Sequence, residues 1–176
     1  MIRRLVSPIA ALLVLPLLAS CSVLEKKEPP PCPPIYLLGD TATLTKYKPG
    51  KGRDLTDVEF SAEIKGYSGD CSYDDKGAIV QLQVSFNLTR GPADDDRKAA
   101  FEYFLAVPYF YPSPQAKGVF PVETTFPEGQ NYARFTDETV TMRIPVKDKE
   151  VINKYEVYLG FQTSPEELEA NRKARQ

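Results

Sequence analysis

The chain has 176 residues, 42% of them hydrophobic and 26% charged, which is enough for one globular domain with a core of its own. Its 22 basic and 24 acidic residues give a net charge of −2, and 20 basic residues remain once Arg3 and Arg4 are removed with the first twenty residues. This acidic balance argues against capture of nucleic acid or anionic lipid by charge. The chain contains no histidine, which excludes every catalytic or metal site that depends on imidazole.

The first twenty residues have the features of a secretory signal peptide. Met1–Arg4 is basic, Leu5–Ala19 is almost uninterrupted in its apolar character, and small residues close the segment. Fifteen apolar residues are fewer than the roughly 20 that span a bilayer, and Pro8 and Pro16 would break a buried helix. We therefore predict that residues 1–20 are a cleaved leader for general secretion.

The sequence Leu18-Ala19-Ser20-Cys21 ends this apolar segment. It resembles the lipobox of bacterial lipoproteins, and the resemblance covers the leader alone. It implies that Cys21 receives diacylglycerol on its sulfur, that the leader is cut before it, and that the new amino group is acylated, for example with palmitate. In this family Ser22, in place of an aspartate, favours the outer membrane. Two or more acyl chains anchor a protein stably, whereas one does so only marginally.

With Cys21 acylated, Cys32 and Cys71 remain. An even number of cysteines in an oxidising compartment indicates one disulfide, and two cysteines without histidine make a poor zinc site. Residues 21–40 are polar and then proline-rich, which is typical of an extended tether. The eleven residue steps from Cys21 to Cys32 reach at most about 36–40 Å. We therefore expect a disulfide and a domain held close to its membrane.

Apolar residues recur at every second position in several segments of residues 41–163. The clearest are Val58–Ile64, Val80–Leu88, Val140–Val146 and Tyr155–Phe161. Weaker candidates are Ala42–Tyr47, Phe101–Tyr111 and Val119–Phe126. Alternation of this kind is typical of strands with one buried face. Turn-rich segments, among them GDCSYDDKG at residues 69–77, are expected to separate them.

About seven strands without crossover helices predict an all-β fold, an antiparallel β-sandwich over residues 41–163. The order of the strands resembles an immunoglobulin-like or fibronectin-like domain by its pattern, although no tryptophan marks the core. A small β-barrel is the alternative. In residues 164–176, Ser164, Pro165 and Glu167 predict the start of a short helix with a capping box. Because few apolar residues follow, we expect this helix to be a frayed, solvated tail.

Carboxylates are the remaining candidates for chemistry. The candidate groups for a paired-carboxylate hydrolase are Asp70, Asp74 and Asp75, and Asp94, Asp95 and Asp96. The first group also supplies weak calcium candidates, because calcium takes oxygen ligands from flexible loops. Its spacing differs from the D-x-D-x-D-G pattern, and no glutamate closes the loop. We expect solvated turns in both places, with no catalytic residue, metal or cofactor.

The segment FEYFLAVPYFYPSP, from Phe101 to Pro114, is the most aromatic of the chain. In one strand it would carry aromatic rings on both faces, and Pro108 favours an edge or bulged strand. A sandwich strand needs only one apolar face. The other face is expected to be covered by the C-terminal segment or offered to a partner, and the candidate contact residues are Phe104, Tyr109, Phe110 and Tyr111.

These features predict an outer-membrane lipoprotein that faces the periplasm of a bacterial cell envelope. Its partners would be membrane lipid, through acylated Cys21, and an envelope protein bound by a non-catalytic β-sandwich that acts as a binding or scaffolding module. Two alternatives stay open at this point: a carboxylate-based hydrolase of an envelope polysaccharide, and a calcium-dependent binding module.

Overall fold

The computed structural model describes residues 31–50, 52–146 and 149–175. The predicted leader, the lipobox with Cys21 and the first ten residues of the predicted tether lie outside the described residues.

Two β-sheets and one short C-terminal helix confirm the predicted all-β sandwich. The strands are β1 (Ile35–Leu37), β2 (Thr43–Tyr47), β3 (Val58–Asp74), β4 (Gly77–Arg90), β5 (Lys98–Ala106), β6 (Lys117–Thr125), β7 (Tyr132–Thr136), β8 (Val140–Ile144) and β9 (Val157–Phe161). The helix α1 spans Pro165–Ala174. No helix in the described ranges is long and apolar enough to cross a bilayer.

The first sheet has the strand order β1-β9-β5-β6, in which β1 runs parallel to β9 and the other neighbours are antiparallel. In the second sheet β2, β3 and β4 are antiparallel neighbours, and β7 and β8 pair with successive halves of β4. One end of the sandwich therefore gathers four segments, and we call it the entry end: Pro31–Ile35, Asp74–Gly77, Val107–Ala116 and Tyr155–Val157.

A long hairpin of β3 and β4 forms the frame of the second sheet. Its pairing is continuous from Phe60 to Asp74 except for a bulge next to Gly66, whose φ is +156°. The bulge changes the parity of β3. Ile64 faces the core before it, and Cys71 packs against the core after it. Glycine adopts such a φ without steric cost. The bulge therefore keeps one set of side chains of β3 on the core side both before and after Gly66.

A cluster of four aromatic rings joins the two sheets. The ring of Phe86, on β4, lies 5.1 Å from Phe101, 5.4 Å from Tyr103 and 5.7 Å from Phe161, measured between centroids. Offset and edge-to-face pairs at these distances contribute about 0.5–1.5 kcal/mol beyond the burial of their area. Phe86 belongs to one sheet and its three partners to the other, so this cluster packs the two layers against each other.

Tyr103 also makes a polar contact from within this core. Its side chain is fully buried, and its hydroxyl donates to Asp137 Oδ2 at 2.8 Å. Asp137 follows β7, and its backbone N–H donates to Val84 O at 3.0 Å. Burial raises the pKa of the Tyr103 hydroxyl far above its ordinary value, and the neighbouring carboxylate adds to the shift. The buried hydroxyl is thus satisfied by one residue of the opposite sheet.

All seven predicted strands are present, and two bounds need correction. The strand expected over Phe101–Tyr111 spans Lys98–Ala106, because the backbone turns at Val107 and Pro108–Phe110 forms a 3-10 turn. The turn expected at residues 69–77 is wrong as well. β3 continues to Asp74, and only Asp75 and Lys76 form the turn into β4. β1 and β7 were not expected from the sequence.

The N-terminal segment, residues 31–38, is attached to both sheets. Cys32 and Cys71 form the predicted disulfide, with their Cα atoms 5.7 Å apart. Two β3 hydroxyls donate to this segment: Tyr73 Oη to Pro31 O at 2.5 Å, and Tyr67 Oη to Ile35 O at 2.8 Å. β1 adds a strand to β9 of the first sheet. The folded domain therefore begins within the range that the sequence assigned to the tether.

The helix α1 has the predicted capping box, in which Ser164 Oγ accepts from Glu167 N and Glu167 Oε2 accepts from Ser164 N. The expectation of an undocked tail is wrong. Glu167 pairs with Lys46 Nζ at 2.8 Å, and Asn171 Nδ2 donates to Asp40 O at 3.0 Å and to Thr43 O at 2.9 Å. The helix is docked by polar contacts, which a count of its apolar residues could not detect.

The disulfide yields a stability prediction. Its loop of about 40 residues should contribute on the order of 4 kcal/mol to the free energy of unfolding in the chain-entropy model. We expect the Cys32→Ser/Cys71→Ser variant to lose about this much in urea unfolding. Reductant should destabilise the wild type by a similar amount and leave the variant unchanged. Equal stability of the oxidised wild type and the variant would contradict the prediction.

The Tyr103–Asp137 hydrogen bond yields a second prediction, on the dependence of stability on pH. Above about pH 10 tyrosines of the unfolded chain ionise, whereas folded Tyr103 keeps its proton because its pKa is raised. The unfolded state then binds fewer protons than the folded state, so this contribution to stability falls as pH rises.

Tyr103→Phe should therefore lose about 1 kcal/mol of unfolding free energy near neutral pH, through the missing hydrogen bond. Its stability should fall less steeply than that of the wild type between about pH 8 and about pH 11. Urea unfolding at both pH values measures this, and Tyr132→Phe, at an exposed position, is the control. A decline equal to that of the wild type would show that Tyr103 does not contribute to it.

Candidate functional site

The connection between β5 and β6, residues Val107–Ala116, is an ordered loop that we call the aromatic loop. Val107 N donates to Ala116 O at 2.7 Å and closes its base. Within it, Tyr111 N donates to Pro108 O at 3.0 Å and Ser113 N to Phe110 O at 2.7 Å. The loop contains three prolines, whose fixed φ lowers the entropy of the unfolded loop. It therefore presents its side chains in one defined arrangement.

Tyr155 supports the aromatic loop from below. Its ring centroid lies 4.6 Å from that of Tyr109 and 5.4 Å from that of Phe110, and the rings of Tyr109 and Phe110 meet edge-to-face at 5.8 Å. Burial raises the pKa of the Tyr155 hydroxyl, and the neighbouring Tyr109 adds to the shift. Tyr109 remains 64% exposed although its ring contacts Tyr155, and Tyr111 is 82% exposed.

The four predicted contact residues do not form one surface. Phe104 lies on the outer face of β5 and is only 9% exposed, with Lys117 Nζ 4.4 Å from its ring centroid and Gly160 as its pairing partner on β9. Phe110 is half-buried against the core. Tyr109 and Tyr111 are the two members of the predicted set that are free to make an outside contact. Phe104 is therefore corrected to a structural residue.

The aromatic loop lies at the entry end of the sandwich. β1 and β9 start side by side there, and Val157 N donates to Pro34 O at 2.9 Å. Tyr158 of β9 pairs in turn with Ala106, the last residue before the loop. The exposed tyrosines and the point at which the chain enters the domain therefore belong to the same end of the molecule.

The first candidate carboxylate group is not gathered into one site. Asp70 is an exposed residue of β3 that pairs with Gln81 of β4, and Asp75 lies in the hairpin turn. Asp74 accepts from Arg143 Nη1 at 2.7 Å on one oxygen and 2.9 Å on the other. This hydrogen bond holds the pKa of the Asp74 carboxyl below its ordinary value. Asp74 is thus committed to a salt bridge between β3 and β8.

The second group is brought together, with oxygens of Asp94, Asp95 and Asp96 within 4.8 Å of one another. The Asp94 side chain is only 3% exposed, and its Oδ2 accepts from Arg90 Nε at 2.5 Å. Its Oδ1 accepts from Asp96 N at 3.1 Å and from Arg97 N at 2.9 Å. Asp94 therefore organises the turn between β4 and β5, while Asp95 and Asp96 are exposed.

The pKa of Asp94 is shifted in the opposite direction to that of a general acid. Burial alone would raise the pKa of this carboxyl, but the Arg90 guanidinium and the backbone N–H groups outweigh burial and lower the pKa. A carboxylic acid that protonates a leaving group needs a raised pKa. Asp74 and Asp94, the partnered members of the two groups, are both held in the charged form.

A groove of about 680 Å³ runs beside Asp95 and Asp96. Its walls carry Lys46 and Glu59 from the second sheet and Lys98 and Glu123 from the first. Asp94, Asp95 and Asp96 also line the groove, so its lining has five acidic and two basic side chains and is acidic on balance. Within the described parts of the chain, no buried side-chain nitrogen or oxygen lacks a hydrogen-bond partner.

The roles of three residues that contact the aromatic loop or the two carboxylate groups were not predicted from the sequence. Arg143 is 69 positions away from Asp74, so no local pattern in the sequence connects them. Tyr155 was assigned to a strand face, although it precedes β9 and supports the aromatic loop. The pairing of Arg90 with Asp94 could have been suspected, since the two residues are four positions apart and face each other across a glycine and a proline.

Comparison of the chain with protein-family models, with curated proteins and with solved structures found no match.

The buried carboxylate of Asp94 yields the third prediction. Asp94→Asn keeps the shape but removes the charge, and we expect a loss of about 1–3 kcal/mol in unfolding free energy at neutral pH. Because the pKa of Asp94 is lowered in the folded state, its contribution is present above the unfolded pKa and is lost as pH falls through the folded one.

The stability difference between Asp94→Asn and the wild type should therefore shrink as the pH is lowered from about 7 to about 3. Urea unfolding at both pH values measures it. The matched control is Asp95→Asn, which neutralises the exposed neighbour and should leave stability nearly unchanged. A deficit of the same size for both variants would contradict a structural role specific to Asp94.

Proposed function

We propose that this protein is an outer-membrane lipoprotein of a bacterial cell envelope, in which acylated Cys21 holds a non-catalytic β-sandwich in the periplasm. In this proposal the domain is a binding or scaffolding module for another envelope protein. The lipobox resemblance of Leu18–Cys21 supports the anchor and the compartment. A disulfide between Cys32 and Cys71 is consistent with an oxidising compartment.

The observation that carries the proposal is the attachment of the N-terminal segment to the domain. The disulfide, the Tyr73–Pro31 hydrogen bond and the pairing of β1 with β9 fix the chain from its first described residues onward. Only ten residue steps separate Cys21 from Pro31, a reach of at most about 33–36 Å. A module that is anchored in this way works within a short distance of the membrane.

The two candidate carboxylate groups support a non-catalytic role. Asp74 is paired with Arg143 and Asp94 with Arg90, and each pairing lowers the pKa of the carboxyl. Neither residue is therefore suited to act as the general acid of a polysaccharide hydrolase. For calcium, Asp74 is engaged by Arg143 and Asp70 lies away from the turn, so the predicted loop does not present three free carboxylates together.

The anchor yields the fourth prediction. Cys21→Ser should abolish acylation, so the variant should move from the membrane fraction to the soluble fraction of the envelope after a salt wash. Ser22→Ala keeps the acceptor cysteine and is the matched control, which should stay in the outer-membrane fraction. Recovery of Cys21→Ser in the washed membrane at the wild-type level would refute the anchor.

The scaffolding role has a readout of its own in the same cells. Crosslinking of the wild type in intact cells should recover specific envelope proteins, and Cys21→Ser should lose those whose recovery depends on placement at the membrane. If the anchored wild type recovers no specific protein, the lipoprotein assignment stands and the scaffolding role fails.

A further inference from the structure

The aromatic loop is unusual in that ten consecutive residues carry no charge although the loop is largely exposed. The sequence of Val107–Ala116 is VPYFYPSPQA. Its exposed members are Pro108, Tyr109, Tyr111, Pro112, Pro114 and Gln115. In a chain of which 26% is charged, an exposed segment of this length without a charge is a surface suited to an environment less polar than water.

The two exposed tyrosines have the chemistry of residues that lie at a membrane surface. A tyrosine ring is apolar and its hydroxyl is polar, so the side chain is favoured at the level of the lipid headgroups. Tyr109 and Tyr111 flank Phe110, whose ring turns inward against Tyr155. The loop thus offers two amphipathic tips on an ordered base, and little conformational freedom remains to be lost on contact.

The position of the loop relative to the chain entry indicates which surface it meets. Both lie at the entry end, since Pro34 is bonded to Val157 and Tyr155 supports Tyr109. The ten residue steps between Cys21 and Pro31 limit how far this end can lie from the anchored cysteine. The opposite end lies a further strand length away, about 30 Å for the nine residues of β5.

From this geometry we infer that the aromatic loop contacts the headgroup region of the membrane that holds Cys21, with Tyr109 and Tyr111 as the interfacial residues. The inference rests on the proposed lipid anchor and adds an orientation to it. The entry end faces the bilayer, and the end with Asp94–Asp96 faces away. A second, weak contact restricts the orientation of the domain, because the aromatic loop lies at the end where the anchored chain enters.

The chain contains no tryptophan, which provides a direct test. Tyr111→Trp places a single fluorescent reporter on the aromatic loop. Tyr132→Trp is the matched control, since Tyr132 is also exposed but pairs with Thr89 at the opposite end. Both variants, in their mature lipidated form, are reconstituted into vesicles of phosphatidylethanolamine and phosphatidylglycerol, with and without brominated lipids. Emission wavelength and quenching are then compared.

The expected result is a blue shift and a loss of emission by brominated lipid at position 111, with neither effect at position 132. If the protein is bound to vesicles but position 111 shows neither effect, the orientation is refuted while the anchor stands. If the protein fails to bind vesicles, both the anchor and the inference fail.

A second measurement separates lipid from protein as the contact. A photoreactive benzoylphenylalanine at position 111 in intact cells should yield lipid adducts. A discrete protein adduct at this position, lost in the Tyr109→Ser variant, would overturn the inference and assign the aromatic loop to the envelope protein partner.

Discussion

The bulge at Gly66 is the constraint on which the rest of the sandwich depends. A strand as long as β3 twists and alternates without interruption unless one residue breaks its register. Gly66 does so and exchanges the two faces of the strand, so that Ile64 and Cys71 both point to the inside. Without this exchange the disulfide and the hydroxyls of Tyr67 and Tyr73 would lie on the outer face, and the N-terminal segment could not cross over the hairpin.

The part of β3 that follows the bulge determines how the entry end is built. The N-terminal segment crosses this end, where the disulfide attaches it to β3 and its strand β1 extends the first sheet beside β9. Tyr155 and the aromatic loop close the same end from the other side. The attachment of the chain and the exposed tyrosines therefore lie at the same end of the sandwich.

The sequence was informative where a pattern is local. Alternating apolar residues predicted seven strands, and a capping box predicted the start of α1. Local patterns failed where a distant residue decides the outcome. The segment around Cys71 is rich in Gly, Ser and Asp, which predicts a turn, yet its pairing with β4 extends the strand to Asp74.

Burial of single residues was predicted less well for the same reason. Phe104 resembles a free aromatic residue in the sequence. Because Gly160 on the neighbouring strand has no side chain, the Phe104 ring can lie close against that strand. Lys117 covers the ring from the solvent side. β1 has three residues between prolines and a glycine, too few for alternation to be visible. β1 forms because it pairs with β9, and the residues around Ile35 contain no pattern that indicates this pairing.

The site of the disulfide also has a mechanical consequence. A pull on the residues before Cys32 passes through a covalent bond into Cys71, which lies three residues before the end of β3. The load then enters the pairing of β3 with β4. The three residues of β1, which follow Cys32, lie outside this path and are not peeled from β9. The three-residue strand β1 is thus shielded from tension on the chain.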